Sequence, residues 1–281
     1  VTDPEGIEFL RWCLPRLDLR WHGFRRRRIR RRVYRRIEER MRQLALPDVA
    51  AYRAYLEDDA AEWVVLDRFC WVPISRFYRD KVVFQFLELT VLPALGARAL
   101  ECGETELRCW SAGCAAGEEP YTVAMIWRYR VAPQFAQLRL RVIATDIDPE
   151  MIRRATVGGY PPHSLRDIPA EIAARAFHRS ATGYWVTPEC REDIEFVEQD
   201  IRRTMPADHF HLILCRNLLL TYFHEVLQRL ILERMTARLL PGGAIVFGLT
   251  ESVPAGLSEL EPWSAPLRVY RRRAETGRAG T

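Results

Sequence analysis

Residues 110–127, WSAGCAAGEEPYTVAMIW, join an apolar run to a helical one through a turn of small side chains. Ser111, Ala112, Gly113, Ala115, Ala116 and Gly117 allow a backbone to approach a ligand closely, as the first strand-to-helix turn of an open α/β sheet does. They do not form GxGxxG, so a dinucleotide-binding turn is only a loose match. Glu118 and Glu119 open the helix, where carboxylates suit the helix dipole and Pro120 suits the first turn. A diphosphate beside them would meet like charge in a partly dry site, whereas a cationic ligand would be favoured. From the turn alone, plain stabilisation of the helix start explains the two carboxylates equally well.

Around this turn, strand candidates LRCWSA (107–112), LRVIATD (140–146), IEFVEQD (194–200), FHLILCRN (210–217) and AIVFGLTE (244–251) alternate with helical stretches. The helices are PYTVAMIWRYR (120–130), PEMIRRAT (149–156) and HEVLQRLILERMTARLL (224–240). Strands separated by helices of this length read as βαβ units of a mostly parallel, doubly wound sheet. The segment GYWVTPECREDIEFV (183–197) adds a hairpin before the third strand. ATDID (144–148) ends the second strand and puts Asp146 about thirty residues after the turn, where a carboxylate accepts both hydroxyls of a ribose. A ribose without a diphosphate, next to acidic groups, points to S-adenosylmethionine, whose sulfonium and ammonium are both positive. With Asp146 included, this reading overtakes simple helix stabilisation.

Residues 7–95 read differently. GIEFLRWCLPRL, the arginine-rich segment, DVAAYRAYLEDD, AEWVVLDRFCWV and KVVFQFLELTVLPAL all space apolar residues three and four apart, as helices do. Asp48 is the N-cap of the third. Eleven of the eighteen residues from Arg25 to Arg42 are arginine, while Ile29, Val33, Ile37 and Met41 recur every four positions. That pattern is an amphipathic helix with an arginine surface. On this segment alone a solvated face ranks first, a nucleic-acid footprint second and a dock for an acidic protein third. The expected division is a helical domain at 1–95, an α/β domain at 96–272 and a disordered tail at 273–281.

The 281 residues are 48% apolar and carry a net charge of +5. No run of eighteen apolar residues and no signal peptide is evident, so the expectation is a soluble, cytoplasmic protein without membrane insertion. Seven cysteines, an odd number without a CxxC pair, suit buried reduced thiols better than disulfides or zinc. The histidines show no metal-ligand spacing beyond His209 and His211, and no metal is expected.

Five motifs stand in order: ISRFYRD (74–80), WSAGCAAGEEPYT (110–122), ATDIDPEMIRRATVGGY (144–160), DHFHLILCRNLLLTYF (208–223) and LLPGGAIVFGLTES (239–252). Over about residues 24–270 this set resembles the CheR-type chemoreceptor methyltransferases, which esterify glutamate side chains using S-adenosylmethionine. The resemblance implies a Rossmann-like class I methyltransferase domain preceded by a small all-helical domain. It implies that Ser75 and Arg79 reach from the helical domain into the cofactor site, that Gly113 belongs to the cofactor turn and that Glu118 binds the methionine end. Asp146 would take the ribose, Asp200 with Ile201 would flank the adenine, and Arg216 and Asn217 would line the cleft. Tyr222, with Arg79, would lie beside the transferred methyl, which makes these two the candidate catalytic residues. The product would be S-adenosylhomocysteine.

The sequence departs from the family pattern at Pro73, where an asparagine is frequent, and at Asp200–Ile201, where many members have Asn-Leu. Tyr222 falls five positions after Asn217, one further than usual. For the arginine helix, the resemblance moves an acidic receptor-like protein docked on residues 25–42 ahead of nucleic acid, with the enzyme a monomer. Two alternatives stay open: methyl transfer to RNA or another acceptor, supported by the arginine helix, and a cofactor-binding regulatory protein without catalysis, supported by the three departures.

Overall fold

Helices form where apolar residues are spaced three and four apart: α1 (Asp3–Cys13), α2 (Arg27–Gln43), α3 (Val49–Asp58) and α4 (Glu62–Cys70). A capping box between Thr2 and Glu5 starts α1, and the Asp48 carboxylate caps α3 by accepting from the Ala51 amide at 2.8 Å. On α2, Ile29, Val33, Ile37 and Met41 are all buried. The fold is that of a computed structural model describing residues 1–254 and 256–273. Of the expected tail, Arg273 is described and ion-paired to Glu261, and residues 274–281 lie outside the described residues.

The arginines of α2 divide into two groups. Arg30 is buried and donates to both carboxylate oxygens of Asp3, at 3.0 and 2.9 Å, and to the carbonyls of Phe24 and Arg25. Arg36 donates to the carbonyls of Phe69 and Trp71 at 3.0 and 2.7 Å, where α4 runs out of helical partners. Arg40 pairs with the buried Glu62, which also accepts from the Tyr52 hydroxyl at 2.8 Å. Arg28, Arg31 and Arg35 are exposed, as are Arg25 and Arg26 just ahead of the helix.

By its contacts the chain separates into two units, Val1–Pro73 with Leu219–Gln228, and Ile74–Leu218 with the chain from Arg229. In the first, Leu19 forms an antiparallel bridge with Phe223, and the Arg20 amide donates to the Tyr222 carbonyl at 2.7 Å.

Among the described residues the second unit holds ten strands: β1 (Glu106–Ala112), β2 (Arg139–Asp146), β3 (Gly159–Tyr160), β4 (Phe177–Ser180), β5 (Gly183–Val186), β6 (Ile194–Glu198), β7 (Phe210–Cys215), β8 (Leu239–Phe247), β9 (Leu260–Ser264) and β10 (Val269–Arg272). Seven of them form one sheet in the order β6-β2-β1-β7-β8-β10-β9. From β6 to β8 the pairing is parallel, and β10 and β9 close that edge antiparallel. The strand order reverses between β1 and β7, which makes the carboxyl ends of these two strands the crevice of a doubly wound sheet.

The expected boundary at residue 95 shifts. Helix α5 (Lys81–Phe86) continues through Leu87–Val91 into α6 (Leu92–Glu101). Its Val83, Phe84, Leu87, Val91, Leu92, Leu95 and Ala99 are buried in the same core as Leu107, Leu140, Leu212 and Val246 of the sheet. By length and composition this helix could cross a membrane. Its apolar face is instead filled by the sheet core, so it belongs to the α/β unit from Ile74 onward. Periodicity identifies a helix but not the core it packs against. Ser75 and Arg79, expected to reach in from the helical domain, are therefore part of the α/β unit itself.

The hairpin is also displaced. Gly183–Val186 pairs backwards with β4, in a three-stranded antiparallel sheet ordered β3-β5-β4, while Ile194–Glu198 joins β2 in the main sheet. Strands β9 and β10 had no expectation.

Candidate cofactor and active site

Parallel register sets Ser111 of β1 opposite Ala144 of β2 on one side and Leu214 of β7 on the other, so the segments following these strands emerge side by side. After β1 the chain turns through Gly113 (φ 74°) and Gly117 (φ 92°) into α7 (Glu118–Ile126). Both glycines are required twice over. Their φ values favour glycine, and a Cβ on Gly113 would lie 2.7 Å from Leu218 Cδ2, one on Gly117 2.9 Å from Ala155 Cβ.

Four amides of this turn are engaged within the protein. Gly113 and Cys114 donate to the Thr145 carbonyl at 2.8 and 3.0 Å, Gly117 donates to the Cys114 carbonyl at 3.0 Å, and Ala115 donates to Asp146 Oδ2 at 2.8 Å. A diphosphate cradle needs such amides free to point at the ligand. Here they lock the end of β2 to the turn, and they hold Ala115 at a positive φ of 49°.

The two carboxylates at the start of α7 have different environments. Glu118 is 5% exposed, and its Oε2 is buried without a hydrogen-bond partner. Burial raises its pKa above the ordinary carboxylate value, opposed by its own backbone amide and the Ser75 hydroxyl. Glu119 is fully occupied: Oε1 accepts from the Ser111 hydroxyl at 2.8 Å and Oε2 from Arg216 at 3.2 Å. Only Glu118 fits the role of a counter-charge for a cationic ligand. Asp146, at the end of β2, also has its pKa raised by burial, although the amides of Ala115 and Asp148 stabilise its charge.

The family model for the CheR methyltransferase SAM binding domain matches residues 74–266, and that for the CheR methyltransferase all-alpha domain matches residues 26–66. The chain belongs to the CheR methyltransferase family. Its cofactor is S-adenosylmethionine, and the donor set fits. The buried, unpaired Oε2 of Glu118 suits a cationic group, Asp146 at the end of β2 is a second acid beside the turn, and the turn amides of Gly113, Cys114, Ala115 and Gly117 are bonded within the protein rather than free for a phosphate.

Among relatives, the chemotaxis protein methyltransferase of Listeria monocytogenes is 31% identical over 71% of this chain and 72% of its own. Chemotaxis protein methyltransferase 2 of Pseudomonas aeruginosa is 30% identical over 78% of each. An uncharacterized 104.1 kDa protein in the hypE 3' region of Rhodobacter capsulatus is 33% identical over 85% of this chain, and the chain spans only 25% of that protein. Among solved structures, the plantazolicin methyltransferase BpumL in complex with SAH shares 13% identity at a TM-score of 0.32, covering 60% of this chain and 49% of that one.

Within this CheR methyltransferase, Ser75, Gly113, Glu118 and Asp146 stand around the β1 turn and the end of β2. Arg216 and Asn217 follow β7, where Asn217 (φ 59°) has its amide bonded to the buried Glu251 at 2.9 Å. Arg79 donates to the Ile74 carbonyl at 2.5 Å, and burial lowers its pKa while Asp80 opposes the shift. Beyond β6, Ile201 is buried, and the Asp200 carboxylate is held side-on by Arg202 at 2.9 and 3.1 Å. Tyr222 lies in the helical unit, its ring 5.6 Å from both Phe24 and Trp71.

The roles of two residues were not anticipated. Glu119 reads from sequence as a twin of Glu118, and nothing in GEEP separates a ligand-facing acid from a network acid. Glu251 is 2% exposed and also accepts from the Gly248 amide at 2.7 Å, so one carboxylate ties the turns after β7 and β8 together. Its polar position in GLTES, directly after an apolar strand, was the available signal.

Proposed function

We propose that this protein is an S-adenosylmethionine-dependent O-methyltransferase that forms methyl esters on glutamate side chains of an acidic, chemoreceptor-like protein in the cytoplasm. The observation that carries the cofactor half of this reading is the buried Glu118 carboxylate, with Oε2 unpaired, beside a turn four of whose amides are already bonded within the protein. The acceptor half is supported by the family and by the relatives named chemotaxis protein methyltransferase.

When bound, the cofactor supplies a methyl group on a positively charged sulfur. A glutamate acceptor has an ordinary pKa near 4.3 and is ionised at neutral pH, so no general base is needed. The protein's task is to orient the acceptor oxygen and exclude water. Glu118 and Asp146 hold the cofactor, Ser75 steadies Glu118, Asp200 and Ile201 border the adenine, and Gly113, Arg216 and Asn217 line the cleft. Arg79 stands beside the methyl and the acceptor, and the family resemblance assigns Tyr222, of the helical unit, a catalytic part as well. A strong cation clamped on the nucleophilic oxygen would oppose attack, so Arg79 orients the cofactor or the second oxygen of the acceptor. The exposed arginines Arg28, Arg31 and Arg35 of α2 receive the acidic substrate.

Incubating the protein with methyl-labelled S-adenosylmethionine and receptor-rich cell extract tests this reading. Mild base should release the label as volatile methanol from protein. Label retained in protein or RNA would overturn the glutamate ester, and cofactor binding without transfer would overturn the activity.

A further inference from the structure

Glu119 has no place among the ligand-facing groups, and its contacts describe a different task. It accepts from Ser111 at 2.8 Å and from Arg216 Nη1 at 3.2 Å. Arg216, whose side chain is 3% exposed, extends Nη2 to Asp80 Oδ2 at 2.7 Å and to the carbonyl of Arg79 at 2.8 Å. Its guanidinium lies 5.0 Å from the centroid of the Phe84 ring. Arg79 and Arg216 thus stand against Asp80 and Glu119, a set whose formal charges cancel. The negative charge of Glu118 is left outside it.

A guanidinium this buried depends on both of its carboxylates, because a buried charge deprived of a partner is strongly disfavoured. Arg216 also grips backbone. The carbonyl it holds belongs to Arg79, which lies between Tyr78 (φ 52°) and Asp80 (φ 62°). Two left-handed, non-glycine residues within three positions persist only where the surroundings enforce them.

We propose that Glu119 is a positioning residue: through Arg216 it fixes the backbone of Tyr78–Asp80 and so sets where Arg79 meets the cofactor. This rests on the reading of Arg79 as part of the cofactor site.

The test is a double-mutant cycle on S-adenosylhomocysteine affinity, measured by calorimetry with the full chain as wild type, Glu119→Gln, Arg79→Ala and the double variant. Glu119→Gln should weaken binding about tenfold, and it should add less than about twofold once Arg79 is gone, because its route has been removed. A purely structural role would give losses that multiply. Multiplied losses, or wild-type binding by Glu119→Gln, overturn the proposal alone. Wild-type binding by Arg79→Ala overturns the reading of Arg79 and the proposal with it. Should Glu119→Gln not fold, Ser111→Ala removes only the hydroxyl contact to Glu119 and carries the same cycle.

Discussion

Two segments of this chain concentrate charge, the arginine surface of α2 and the acidic start of α7, and they handle it in opposite ways. On α2 the surplus stands in water. Arg28, Arg31 and Arg35, with Arg25 and Arg26 just ahead of the helix, are exposed, and their field is screened within about 8 Å at physiological salt. At α7 the charge is withdrawn from water, Glu119 neutralised by Arg216 and Glu118 buried with its Oε2 unpaired. Solvated charge steers partners from a distance and costs the fold little. Buried charge acts on one ligand at contact and disfavours the empty protein.

The largest expected effect lies on the buried side. Arg79→Ala should abolish methyl transfer while circular dichroism and the melting temperature show a folded protein; near-normal turnover would remove Arg79 from the site. Glu118→Gln keeps the shape and deletes the charge. It should weaken S-adenosylhomocysteine binding roughly a hundredfold, yet leave the ligand-free protein at least as stable, since burial penalises the charge and Oε2 is unpaired. A drop in the ligand-free melting temperature would show that the contacts of Glu118 with Ser75 and its own amide outweigh the cost of burying its charge.

The same asymmetry predicts a pH dependence with two signs. Burial holds the folded-state pKa of Glu118 above 4.5 and that of Asp146 above 3.8. As pH rises through those raised values, the empty protein must ionise buried acids that the unfolded chain ionises earlier, so these groups' contribution to stability is lost. Cofactor affinity moves the other way, falling as pH drops through the same window, because protonated Glu118 offers no counter-charge. Calorimetric titrations between pH 4.5 and 7.5 check both directions, and Glu118→Gln should flatten the affinity profile.

On the solvated side the effects should be smaller and should divide by residue. Arg40→Ala leaves Glu62, 2% exposed, with the Tyr52 hydroxyl and no cation, a loss of about 1–2 kcal/mol in urea unfolding. Neutralising Arg28, Arg31 and Arg35 together should leave stability within about 0.5 kcal/mol while raising the KM for an acidic protein substrate at low salt. An unchanged KM would count against docking on this face.

The parallel sheet, the turn after β1 and the acids at its rim were legible because each rests on local chemistry: small residues where backbones approach, a carboxylate at a strand end, alternation of strand and helix. Three things were not. Helix Lys81–Glu101 looks like its helical predecessors in period, and only packing assigns it to the sheet. Glu118 and Glu119 are neighbours with the same side chain, and their roles separate only because Ser111 and Arg216 reach one of them. Arg30, Arg36 and Arg40 are indistinguishable in sequence from the exposed arginines around them, and their structural use depends on Asp3, Glu62 and the end of α4.

The helical unit is discontinuous in the chain. Its first part ends at Pro73, and Leu219–Gln228 completes it, with buried Leu219, Leu220, Tyr222 and Phe223 supplied from that late segment. During synthesis residues 1–73 therefore leave the ribosome long before their last apolar partners exist. The whole sheet up to β7 is made in the interval. A nascent chain halted before residue 219 would expose to proteases and chaperones the very surface around Leu19 and Trp71 that Phe223 later covers.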